Sequence, residues 1–176
     1  INDYIQFRKR TNTKYNTIKG FVTTKNRLIN FEKSQQCRLI FEDINLSFSD
    51  NFHEFLLKEG FGSGTIQKTY TQLITILNYF FERKDELKIN LSDKFRSKLF
   101  KRGVKAENDP HPLSMSEFNA LVKHDFKNDF LNLTRKRFLL QCSTGMRYSD
   151  VFTIVPEMII ESSIVYYPQK TEGKKN

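Results

Sequence analysis

Apolar residues recur along this chain mostly at helical intervals. The clearest case is Ile66, Tyr70, Leu73, Ile74, Leu77, Phe80 and Phe81, which follow the i, i+3, i+4, i+7 rule and predict a helix starting near Thr65. Lys68, Gln72 and Thr75 fall on its opposite side. Upstream, Phe48, Phe52, Phe55 and Leu56 predict a helix from Ser47 to Glu59 ended by Gly60, with Gly62-Ser63-Gly64 as a flexible break. Tyr15, Ile18, Phe21, Val22 and Leu28 predict a helix from a Thr13 cap to about Glu32. Residues 34–46 read as an extended connector carrying Leu39-Ile40-Phe41 and Ile44, and residues 1–12 as loose, polar chain. A shorter helix is expected from Ser92 to Phe100, burying Phe95 and Leu99 and exposing Lys94, Arg96 and Lys98. These four helices would make one compact bundle.

The pattern then changes. Residues 101–112 are polar, hold Gly103, Pro110 and Pro112, and show no period, as a linker does. Ser114-Met115-Ser116-Glu117 fits a capping box, followed by a helix using Phe118, Leu121 and Val122. Another helix is expected over Leu131–Ser143, leading into Thr144-Gly145-Met146-Arg147-Tyr148-Ser149-Asp150. There Gly145 suits a left-handed helix end and Ser149 a helix start. Beyond Pro156, the runs Met158-Ile159-Ile160 and Ile164-Val165-Tyr166-Tyr167 read as a β-hairpin, with Lys170 just past its second strand.

Charge divides the chain at the same place. Net charge is +9 over 176 residues. Residues 1–105 hold 20 Lys+Arg and 11 Asp+Glu, and residues 106–176 hold 9 of each, so all the excess lies in the first part. A basic unit of this kind suits a polyanionic partner, above all nucleic acid. Cys37 and Cys142 match no redox or metal-ligand spacing, and His53, His111 and His124 are scattered. No metal or other cofactor is expected. No apolar run is long enough to span a membrane and no signal peptide is recognisable, so a cytoplasmic protein is expected. The chain begins at Ile1 and ends just after the hairpin, which reads as a fragment of a longer protein.

The corner at Arg147 is where chemistry is concentrated. A guanidinium fixed between two helices presents several donors at once, a device for gripping phosphate or carboxylate. Taken by itself, it reads first as a helix corner whose arginine ties down a carboxylate such as Asp150. The surroundings bear on the choice. A basic helical unit, a linker, a Ser-x-x-Glu helix start, Thr-Gly-Met-Arg-Tyr-Ser-Asp, a hairpin and Lys170-Thr171 occur in the order in which tyrosine recombinases (phage-type integrases) carry them, and the chain resembles that family over nearly its whole length. The context of Cys142 is similar to integrases of conjugative transposons. The Thr-Gly-x-Arg-x-Ser-Asp core is fairly specific, whereas Gln169-Lys170-Thr171 is weak except for its place.

The resemblance implies a mainly α fold. Residues 1–105 would be a SAM-like four-helix core-binding domain, 106–112 a linker, and 113–176 the incomplete first part of an α+β catalytic domain. It implies that Arg147 clamps the scissile phosphate and that Lys170 is the general acid for the leaving 5′ oxygen; apart from the resemblance, Lys170 reads as a solvated hairpin lysine. Asp150 would support the site structurally. The family's His-x-x-Arg motif and nucleophilic tyrosine have no counterpart here, since none of the seven tyrosines fits that position. The resemblance therefore implies a full-length enzyme that recombines DNA through a 3′-phosphotyrosyl intermediate, and a fragment that binds DNA without cutting it. The implied partners are double-stranded attachment sites and further copies in a tetrameric synapse, with no membrane and no small-molecule substrate. Lys68, Gln72 and Thr75 are candidate DNA contacts, with Lys25 and Lys14 behind them; an ordinary solvated helix face is the competing reading. A non-catalytic DNA-binding accessory protein on the same scaffold, or a helical protein-interaction module, are the alternatives.

Overall fold

A computed structural model describes residues 1–103, 110–161 and 163–168. The described residues are mainly helical, with one small two-stranded antiparallel sheet. The chain divides into two compact units, Ile1–Asn108 and Asp109–Asn176.

The first unit is built on four helices: α1 (Asn2–Arg10), α2 (Tyr15–Gln35), α3 (Leu46–Lys58) and α4 (Ser63–Phe81). The count of four matches the sequence reading, but the helices are not the same four. Residues 2–10 are helical, where loose chain is expected, because Tyr4 and Ile5 are buried. Tyr4 meets Phe21 and Tyr79 edge-on with ring centroids 5.0 Å apart in both pairs. With the partly buried Phe7, Tyr4 and Ile5 make three apolar anchors in an otherwise polar segment, enough once α2 and α4 supply the surface. Conversely, Ser92–Phe100 forms only a short 3₁₀ turn at Asp93–Arg96. That tighter path buries Phe95 and Phe100 and leaves Leu99 exposed, where a continued α-helix would bury Leu99 with Phe95.

Smaller differences have local causes. Helix α2 starts at Tyr15 with Lys14 in the cap position, and Tyr15 lies in solvent. The Thr13 hydroxyl instead accepts from Arg8 Nε at 3.0 Å. Gly62-Ser63-Gly64 is no break: Gly62 caps α4, and Ser63 and Gly64 form its first turn. Asn45 caps α3, accepting from the Phe48 amide at 3.0 Å.

Phenylalanine dominates this core. Phe52, fully buried, lies 5.3 Å from Phe31, 5.6 Å from Phe48, 6.3 Å from Phe55 and 5.8 Å from Tyr70. Tyr70 is equally buried and finds the partner its hydroxyl needs, donating to the Ser49 carbonyl at 2.7 Å. Burial pushes the Tyr70 phenol well above its ordinary range. The same serine accepts from the Lys101 amide through its hydroxyl, also at 2.7 Å, and Lys101 Nζ lies 3.8 Å from Asp50. Ser49 thus joins α3, α4 and the segment that closes the unit.

That segment ends on a close approach. Gly103 has φ +70°, and a β-carbon there would stand 2.6 Å from the Gln67 amide nitrogen and 2.7 Å from its Cα. Both obstacles are backbone, so neither can swing aside. Gly103→Ala is expected to destabilise the first unit by about 2–4 kcal/mol, combining left-handed strain with overpacking. A urea titration would read this as a lower midpoint; a loss below about 0.5 kcal/mol would mean the chain end shifts freely away from α4.

In the second unit, α5 (Met115–Lys123) opens on the expected capping box. Ser114 Oγ accepts from the Glu117 amide at 3.3 Å, and Glu117 Oε2 accepts from the Ser114 amide at 2.8 Å. The Ser114 hydroxyl also donates to Glu117 Oε2 at 2.7 Å, and this bond, with that from the amide, holds the Glu117 carboxyl below its ordinary pKa. Arg135, on α6 (Asp129–Thr144), donates from Nη1 to the Leu121 and Val122 carbonyls at 3.0 and 2.9 Å, satisfying the end of α5. A short α7 (Tyr148–Val151) and a 3₁₀ turn at Pro156–Met158 precede strands β1 (Ile159–Ile160) and β2 (Ser163–Ile164), paired Ile159 with Ile164 and Ile160 with Ser163. The hairpin is thus shorter than the apolar runs predict, with Met158 drawn into the turn before it.

Candidate functional site

The corner at Arg147 is assembled by its own sequence. Helix α6 ends at Gly145, which is left-handed at φ 67° and ψ 13° and donates its amide to the Gln141 carbonyl at 2.8 Å. Gln141 Nε2 reaches over the turn to the Met146 carbonyl at 3.4 Å. Met146 is buried and acts as the pivot. The helix restarts sooner than expected: Arg147, not Ser149, occupies the N-cap position of α7. Its carbonyl accepts from the Asp150 and Val151 amides at 2.9 and 3.2 Å. Ser149 lies inside the turn, donating from Oγ to Asp150 Oδ1 at 3.3 Å.

Arg147 and Asp150 are brought together, with Nη1 4.0 Å from Oδ2. Their side chains differ sharply in exposure, 50% against 1%. Asp150 is therefore a buried anchor, and the Arg147 side chain beside it stays half exposed. Such a fork keeps donors available for an outside anion. The pair is too long for a hydrogen bond, so the carboxylate attracts the guanidinium without occupying its donors. Lys170 lies outside the described residues.

Beside the corner, Arg137 on α6 lies over the Phe152 ring at 4.1 Å, and Phe152 packs on Tyr148 at 4.7 Å. Sequence reasoning gave Arg137 no role. Its only signal was its place, ten residues before Arg147 on the preceding helix.

In the first unit the candidates separate into two kinds. Lys68 and Thr75 are exposed on α4, and Lys14 is exposed at the head of α2. Thr75 Oγ1 donates to the Thr71 carbonyl at 2.8 Å. Lys25 and Gln72 are half-buried and bonded within the fold. Lys25 Nζ donates to Asn2 Oδ1 at 3.3 Å, and Gln72 Oε1 accepts from the buried Thr24 hydroxyl at 2.7 Å. Gln72 lies at the contact of α4 with α2 because Gly20 leaves room: a β-carbon at Gly20 would meet Gln72 Nε2 at 2.1 Å.

The same seam holds Arg27, which sequence reasoning passed over. Its Nη1 donates to the buried Thr69 hydroxyl, and its guanidinium lies 4.6 Å over the Phe61 ring. Burial lowers its pKa.

Among the described residues, no three His, Cys, Asp or Glu side chains gather as a metal would need, and no helix is long and apolar enough to cross a membrane. No protein-family model matches the chain, and no curated protein or solved structure matches it.

Proposed function

We propose that the chain is the DNA-binding and first catalytic portion of a tyrosine-type site-specific recombinase of a mobile element. In this reading the first unit is a SAM-like core-binding domain that holds duplex DNA. The second contributes Arg147, and with it Lys170, to the clamp around the scissile phosphate. Charge builds on the non-bridging oxygens during phosphoryl transfer, and a pre-oriented guanidinium stabilises it without reorganising. The observation that carries the reading is the corner itself: a half-exposed fork set between α6 and α7 and backed by a buried carboxylate. Asp150 supports it structurally. Cleavage further needs the family's tyrosine and its His-x-x-Arg motif, which would act in the full-length enzyme, assembled as a tetramer on paired sites.

The second reading is an accessory protein that keeps the scaffold to bind DNA without cutting it. It is favoured by the contact of Arg147 with Asp150, which by itself accounts for an arginine at this corner.

Both readings require duplex binding. With the excess charge in the first unit, affinity for a 30-base-pair duplex is expected to fall about fortyfold between 50 and 200 mM salt, as counterion release demands for about three phosphate contacts. Fluorescence anisotropy measures this directly. No binding at 50 mM salt would remove both readings and leave a helical protein-interaction module.

A further inference from the structure

Two cations share one aromatic ring at the end of α4. Lys84 Nζ lies 4.7 Å, and the Arg96 guanidinium 4.3 Å, from the centroid of Phe81. The two charges are thus closer to each other than a Debye length of about 10 Å at 0.1 M salt. Arg102 joins them, donating from Nη2 to the Arg96 carbonyl at 3.2 Å.

The ion pairs among the described residues are Lys101 with Asp50 and Arg147 with Asp150. None of these three cations takes part in one, although Glu82, Asp85 and Asp93 lie in the same stretches of chain. The fold therefore holds like charges together and leaves their neutralisation to something else.

The arrangement is also rigid. Phe81 packs edge-on against the fully buried Phe95 at 5.8 Å. Arg96, an exposed residue, donates from Nε to Asn78 Oδ1 at 2.9 Å, a bond that leaves its two terminal nitrogens unused. Side chains set in advance lose little freedom on binding. A ring that carries a cation on its face keeps that cation's outer donors available.

We infer that Lys84, Arg96 and Arg102 form a phosphate-contact site for the backbone of duplex DNA, at the α4 end of the first unit and separate in sequence from Lys68, Thr75 and Lys14. It rests on the reading of this unit as DNA-binding and adds where the backbone is gripped. Phosphate contacts of this kind set position rather than sequence, so the site acts equally on any duplex.

The test is duplex binding by the full chain as a function of salt. Lys84→Gln/Arg96→Gln is expected to lower affinity at 50 mM salt by about tenfold and to make the log–log salt slope less negative by about two, one contact for each charge removed. A control with the same loss of charge, Lys33→Gln/Lys58→Gln on α2 and α3, should leave the slope close to wild type. Arg96 also bonds Asn78, so Lys84→Gln alone, which breaks no hydrogen bond, is measured beside it and should shift the slope by about one. Equal losses in the control and in the double variant would overturn the site, since general charge would then explain both. Wild-type slopes in Lys84→Gln and in the double variant would overturn it too, while leaving DNA binding itself standing. Absence of binding by the wild-type chain would overturn both the site and the reading beneath it.

Discussion

Replacing Arg147 with alanine is expected to lower strand cleavage at least about a thousandfold, while duplex binding stays within a few-fold of wild type. The measurement needs a protein that includes this chain together with the family's later His-x-x-Arg motif and tyrosine. The magnitude follows from the task proposed for the guanidinium: arginines that stabilise a phosphoryl transition state contribute on the order of 10³–10⁵ in rate. Binding should persist because one phosphate contact among several costs little, and the excess positive charge lies in the other unit. Alanine also removes the cation beside buried Asp150, so a structural arginine would show as lost folding. Arg147→Lys separates the two roles. A lysine keeps a charge near the carboxylate but lacks the fork that spans two phosphate oxygens. Cleavage lost with the melting temperature retained in Arg147→Lys assigns the arginine to the reaction. Cleavage near wild type in either variant would sink the phosphate clamp.

The second large effect is on stability. Phe52→Ala is expected to destabilise the first unit by about 3–5 kcal/mol, the usual range for a buried ring replaced by a methyl group. Phe52 lies against four other rings on three helices, so the surroundings cannot collapse into the void without moving α2, α3 and α4 together. Against a typical total of about 5–15 kcal/mol, the loss leaves a domain near its limit. It should appear as a lower urea midpoint at unchanged slope. Leu99→Ala, at 73% exposure, is the comparison and should stay within about 0.5 kcal/mol. A Phe52→Ala loss below about 1 kcal/mol would mean the ring cluster is loosely packed.

How much of this could be read from residues alone depended on whether apolar spacing was the deciding force. In α4 it was: Ile66, Tyr70, Leu73, Leu77 and Phe80 are all buried as their period requires. In α1 it was not, because three anchors among nine mostly polar residues give no period, and the helix exists through what Tyr4 touches on α2 and α4. Phe95 and Leu99 have helical spacing, but the helical path stops with the 3₁₀ turn at Asp93–Arg96, and Phe100 is buried in place of Leu99. At the corner, Gly145 announced the end of α6 through its backbone freedom. Nothing local announced that Arg147 rather than Ser149 would head α7. Gln72 was placed on an open face because only a contact forty-eight positions away, with Thr24, turns it inward.

Ser49 has a wider meaning. Because its carbonyl takes the Tyr70 hydroxyl and its own hydroxyl takes the Lys101 amide, the segment of the first unit around Lys101 is not an appendage. Opening that segment breaks a bond to Ser49 in the first turn of α3, the same residue that holds the middle of α4 through Tyr70. Any ligand held by Arg96 and Arg102 is then coupled by mass action to the phenylalanine core: occupancy at a hundred times its dissociation constant adds about 2.7 kcal/mol to unfolding. By reciprocity, whatever loosens that core weakens the grip.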